Sequence, residues 1–147
     1  MKIISIGKLN KEFHPIAEHY NKIIKYQIKF VEIDNIKKLL PNQIKQAEAK
    51  LINKHIETRS YKIILDVIGK NLSSHEFANV IKTNLLFSDD ICFIIGGAFG
   101  LDESILVQAN IRLSLSNMTM PHQMAKIILL EQLYRAQTIL ENHPYHK

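Results

Sequence analysis

At 147 residues, with 46% hydrophobic and 22% charged residues, the chain has the size and composition of one folded domain, which excludes a disordered or fibrous segment. A formal net charge of +5 leaves a polyanionic partner open, although lysine, isoleucine and asparagine are abundant throughout and dilute that signal. The positive charge belongs to the first half: residues 1–70 carry 14 Lys and Arg against 7 Asp and Glu, residues 71–147 carry 5 against 7.

The single Cys92, inside the apolar run Ile91 to Ile95, excludes an intrachain disulfide and reads as a packed strand thiol in a reducing compartment. No apolar run approaches the ~20 residues of a membrane span. Lys8 interrupts MKIISIGKLNK too early for a secretory segment, so a cytoplasmic protein without membrane contact is expected. One Cys and seven scattered His show no ligand spacing, and no metal is expected.

Lys2 to Gly7 reads as a buried first strand ended by glycine. Helix-spaced apolar residues at Phe13, Ile16, Ala17, Tyr20, Ile23 and Ile24 predict a helix from about Glu12 to Tyr26, followed by a second strand over Gln27 to Ile33. After Pro41 a helix places Ile44, Ala47, Leu51 and His55 on one face, with Lys45, Lys50 and Lys54 elsewhere. Tyr61 to Ile68 is nearly all apolar, as in a strand covered on both sides of a parallel sheet. Ser73-Ser-His-Glu76 is a capping box, with Leu72 and Phe77 as its staple, so a third helix starts there and runs to about Phe87. Asp89-Asp90 turns into a fourth strand, Ile91 to Ile95, closed by Gly96-Gly97-Ala98-Phe99-Gly100. A short helix over Asp102 to Ala109 and a strand over Ile111 to Leu115 follow. The alternation, free of linkers and repeats, predicts a single α/β domain over residues 1–147, with a mostly parallel sheet and helices on both faces.

Pro121 suits the first turn of a long helix reaching Asn142. From Met124 to Leu130 only Lys126 is polar, a surface wider than one amphipathic stripe. It predicts two buried faces, one on the sheet and one on a second copy of the chain. Beyond it, His143-Pro144-Tyr145-His146-Lys147 gathers aromatic and titratable groups where a disordered tail is the default.

Ligands of open α/β sheets bind beyond the carboxyl ends of strands. Three such ends carry unusual residues: Leu65 to Gly69, Gly96 to Gly100 and Leu115 to Met120. Glycines after a strand let backbone approach a ligand, but this cluster lacks the spacing of a dinucleotide or phosphate loop, and taken alone a plain structural turn accounts for it more readily. His122 and His146 are the groups most able to move protons near neutral pH, His122 serving equally as a helix-start residue.

Four motifs in order are specific enough to name a family. Phe93-Ile-Ile-Gly-Gly-Ala-Phe-Gly-Leu101, Leu113-Ser-Leu-Ser-Asn-Met-Thr-Met-Pro-His122, Glu131-Gln-Leu-Tyr-Arg-Ala136 and Pro144-Tyr-His-Lys147 resemble the bacterial ribosomal RNA large subunit methyltransferase H family of the SPOUT superfamily. The opening Lys2 to Lys8 matches as well, so the resemblance covers the whole chain. It implies a homodimeric, S-adenosylmethionine-dependent methyltransferase acting on N3 of a pseudouridine in 23S ribosomal RNA, on the assembled ribosome. It also implies a C-terminal trefoil knot, an exception to unknotted connections. Carried over by residue, the cofactor contacts fall at Leu65, Gly96, Leu115, Ser116, Asn117, Met118, Thr119 and Met120. Asn142 stands where many relatives have glycine, and asparagine tolerates the left-handed conformation of a helix cap.

In that chemistry the protein aligns donor and acceptor and removes a weakly acidic imide proton. His146 is the expected base, Tyr145 orients or stacks on the nucleobase, and Arg135 and Lys147 contact the RNA. The leading alternative is a non-catalytic ribosome-binding protein that has kept the fold. An oxidoreductase lacks its glycine fingerprint and acidic ribose partner.

Overall fold

A computed structural model of the chain describes residues 1–86 and 90–146. Strands β1 (Lys2–Ile6), β2 (Lys29–Ile33), β3 (Tyr61–Asn71), β4 (Ile91–Ile95) and β5 (Ile111–Ser114) form one parallel sheet in the order β2-β1-β4-β3-β5. Between them lie helices α1 (His14–Ile23), α2 (Pro41–Asn53), α3 (Ser74–Leu86) and α4 (Glu103–Leu106), and α5 (His122–Leu140) follows β5. The expected α/β class, parallel sheet and helices on both faces are all present.

Side chains alternate across the strands and divide the core in two. Ile3, Ile63, Phe93, Ile95 and Leu113 pack with Phe77 and Ile81 of α3 and Leu129, Leu130 and Leu133 of α5. Ile4, Ile6, Ile64, Cys92 and Ile94 pack with Ala49 and Ile52 of α2 and Ile105 of α4. Every residue of β1 and β4 is buried, the expected state of central parallel strands. Burial pushes the Cys92 thiol up to about 11, which keeps it protonated and inert.

The capping box forms as read: Glu76 N–H donates to Ser73 Oγ at 3.2 Å and Ser73 N–H to Glu76 Oε2 at 2.7 Å. The bonds that Ser73 N–H and Ser73 Oγ donate to its carboxylate hold Glu76 below the usual range, so this cap stabilises α3 above that range and is lost as pH falls through the lowered value. The expected end of this helix at Phe87, and Asp89 in the turn after it, lie outside the described residues.

Two expectations change. The apolar breadth of α5 is covered largely within one chain, because the helix lies against both α1 and α3. Of the run Met124 to Leu130 only Met124 is exposed, so that breadth no longer argues for a second copy. The third strand also continues past its expected end at Ile68. Its register with β5 breaks, Leu113 pairing with both Leu65 and Lys70, so residues 66–69 bulge out. Gly69 permits the return: a Cβ there would lie 2.6 Å from the Arg112 carbonyl oxygen and 2.9 Å from the Leu113 carbonyl carbon. Since backbone cannot swing aside, Gly69→Ala is expected to destabilise the fold by about 1–3 kcal/mol, read as a lower denaturation midpoint at unchanged m-value.

Candidate functional site

The strand ends singled out in the sequence do converge. A cavity of about 280 Å³ opens at the carboxyl edge of the sheet, between the β3 bulge, the Gly96–Leu101 turn and the 115–120 loop. Each wall has a local cause. After β4 the chain reverses through Gly97 to Gly100, closed by a Gly100 N–H to Gly97 carbonyl bond of 3.1 Å, with Gly100 at φ +76°. After β5, Ser114 Oγ donates to the Ser116 carbonyl (2.9 Å) and Met118 N–H donates to Ser116 Oγ (3.0 Å), fixing the loop before Pro121 starts α5.

Of the expected cofactor residues, Leu65, Gly96, Leu115, Ser116, Met118 and Met120 line this cavity. Asn117 and Thr119 lie in the same loop without lining it. Met118 is 78% exposed at the mouth. The lining is mostly aliphatic, with one charged pair: Arg112 Nε and Nη2 donate to Asp66 Oδ2 at 2.9 and 2.5 Å. His122 also faces the cavity from the first turn of α5.

The tail is elsewhere. Tyr145 packs edge-on against Tyr134, ring centroids 4.8 Å apart, with the Arg135 guanidinium 5.0 Å above its own ring. His146 Nε2 lies 3.0 Å from Nε2 of His75, and its Nδ1 lies 3.4 Å from Arg135 Nη1. Arg135 is itself held by Glu131 through bonds of 2.9 and 2.5 Å, which raise its already high pKa. These groups cluster around Glu131, about 14 Å along α5 from His122 at 1.5 Å per residue. None of Arg135, Tyr145 or His146 lines the cavity of its own chain, and Lys147 lies outside the described residues.

An aliphatic cavity at three strand ends with one charged pair suits a small molecule with a flat apolar part and a charged end. A family model described as "Predicted SPOUT methyltransferase" matches residues 1–146. The chain belongs to this family. Among curated SPOUT relatives, a "Ribosomal RNA large subunit methyltransferase H" from Clostridium botulinum (strain 657 / Type Ba4) is 42% identical over 157 aligned positions, covering 100% of this chain and 99% of the relative. A protein of the same name from Acholeplasma laidlawii (strain PG-8A) is 43% identical over 151 positions at the same coverage. A solved probable methylase family protein from Haemophilus influenzae Rd KW20 superposes with a TM-score of 0.56 over 99% of this chain and 70% of that one. At 14% identity this likeness speaks for the fold alone.

Sequence reasoning missed two parts of this cavity. Asp66 and Arg112 are 46 residues apart and meet only because β3 and β5 are neighbours. A lone aspartate at the end of an apolar strand was the available signal. The β3 bulge puts Val67 and Ile68, 47% and 81% exposed, on the cavity rim, whereas an apolar strand pattern predicts them buried. Among the described residues no group of three or more metal-ligating side chains is found, and no helix is long and apolar enough to cross a membrane.

Proposed function

We propose that this protein methylates N3 of a pseudouridine in 23S ribosomal RNA, on the assembled ribosome, with S-adenosylmethionine as methyl donor. The observation that carries the reading is the cavity, in which six of the eight residues implicated by family resemblance meet. Its chemistry fits the donor. The aliphatic walls suit an adenosine, the Gly96-Gly97 backbone can approach its edge, and the Asp66–Arg112 pair offers both signs of charge to a zwitterionic amino-acid end. When bound, S-adenosylmethionine supplies a methyl group already activated by its sulfonium.

The protein's part is then alignment and proton removal, for which positioning supplies on the order of 7–11 kcal/mol and a general base about 10²–10⁴-fold. His146 takes the imide proton, Tyr145 stacks on the nucleobase, and Arg135 and Lys147 bind RNA phosphate. Because the tail lies far from its own cavity, the reading includes a two-fold homodimer whose tails complete each other's sites. A trefoil knot belongs to the same reading and would involve the segment from β4 past β3 into α5.

Mass mapping of 23S ribosomal RNA from cells with and without the protein tests the substrate. One pseudouridine should lack a single methyl group when the protein is absent. An unchanged map would refute the assignment, and a change at a uridine would refute the pseudouridine requirement. Sedimentation at micromolar concentration should give twice the 17.0 kDa chain mass. A stable monomer would remove the shared site.

A further inference from the structure

His122 has no role in the reading above, yet its ring is the one imidazole facing the cavity among the described residues. Its protonation state follows from its neighbour. Gln123 is nearly buried and its amide orientation is set by two backbone groups, Oε1 accepting from the Asn10 N–H at 2.9 Å and Nε2 donating to the Lys8 carbonyl at 2.8 Å. The second hydrogen on that nitrogen faces His122 Nε2 at 3.1 Å. His122 Nε2 therefore accepts, and the neutral ring carries its proton on Nδ1.

Among the described residues Nδ1 has no protein partner, and no buried side-chain nitrogen or oxygen is left unpaired, so the Nδ1–H is open to solvent. Gly7, at φ +80°, makes room for the ring: a Cβ there would lie 3.0 Å from His122 Nε2 and 3.1 Å from Asn35 Nδ2. The charges around it are Lys126, bound to the Gly7 carbonyl at 2.5 Å and to Glu32 at 2.9 Å, Lys8 paired with Asp34, Glu48 beside Gly97, and Asp66 with Arg112 on the cavity wall. Burial first, and the Lys126 charge second, lower the His122 pKa and keep the ring neutral at physiological pH.

We propose that His122 is a further catalytic residue, whose Nδ1–H donates a hydrogen bond to the carbonyl oxygen beside the nucleobase nitrogen that receives the methyl group. The inference rests on the methyltransferase reading above. As the N–H bond breaks and its proton passes to a base other than His122, charge develops on the nitrogen and spreads to the flanking oxygens. The nitrogen's electron pair forms the new N–C bond, while the methyl carbon's bond to sulfur breaks and its pair returns to sulfur. His122 neither gains nor loses a proton. It is a fixed neutral donor placed where charge develops, and such a donor needs no reorganisation during the step.

Two measurements test it. Nitrogen NMR of histidine-labelled protein at neutral pH should report the Nδ1–H tautomer for His122, and an Nε2–H tautomer would overturn the proposal. His122→Phe should lower kcat on ribosomal RNA by at least about 100-fold, with S-adenosylmethionine affinity by calorimetry within about three-fold of the parent. His122→Asn, whose amide nitrogen falls near Nδ1, should recover at least about ten-fold of that loss. Activity of His122→Phe within about three-fold of the parent, no recovery in His122→Asn, or activity falling in step with affinity would each overturn it. If the parent protein methylates no ribosomal RNA, the functional reading is what fails, and the tautomer still decides the state of His122.

Discussion

Deleting Tyr145 to Lys147 is expected to cut methyl transfer by at least about 100-fold, the scale of a lost acid–base group, while S-adenosylmethionine affinity and dimerisation stay within about two-fold. The reason is geometric. In one chain the tail rests on Tyr134, Arg135 and His75, and none of its described residues lines the cavity, whose walls are strand ends, loops and the first turn of α5. Losing it therefore removes little from cofactor binding or from the core.

The sharper form mixes two inactive proteins, the tail deletion and a cavity variant. With free subunit exchange half the dimers are heterodimers, each with one sound site in two if tails act across the interface, so roughly a quarter of parental activity should return. Methyl transfer after exchange is the quantity to measure. Verified heterodimers that remain inactive would mean that the tail folds back to serve its own chain.

The cavity variant is Gly96→Val, expected to weaken S-adenosylmethionine binding by at least about 100-fold, about 2.8 kcal/mol. A Cβ at Gly96 would lie 2.9 Å from Leu101 Cγ and 3.1 Å from the Gly100 carbonyl carbon. Leu101 lines the same cavity, so the valine both occupies donor space and displaces a wall. Calorimetry gives the affinity, and circular dichroism with a thermal melt verifies the fold. A folded Gly96→Val protein with parental affinity would place the donor somewhere other than these three strand ends.

The sequence by itself determined the architecture and which strand ends meet at the cavity. Period-two and near-continuous apolar runs between helical patterns can only be buried in a parallel sheet covered on both faces. In such a sheet the chemistry collects where strands end, as Leu65, Gly96 and Leu115 do. Ser73 and Glu76 announced the start of α3 because a capping box is local: its donors and acceptors lie three residues apart. Long-range pairing is not encoded that way. The Asp66–Arg112 pair, the bulge that Gly69 permits and the Gln123 bonds that set the His122 tautomer each join segments 43 or more residues apart, and depend on strand order and loop path. The breadth of α5 misled for the same reason, because hydrophobic periodicity reports how much of a helix is covered and not what covers it. Only the tertiary structure decided that α1 and α3 cover it, and that the C-terminal tail comes to rest away from its own chain's cavity.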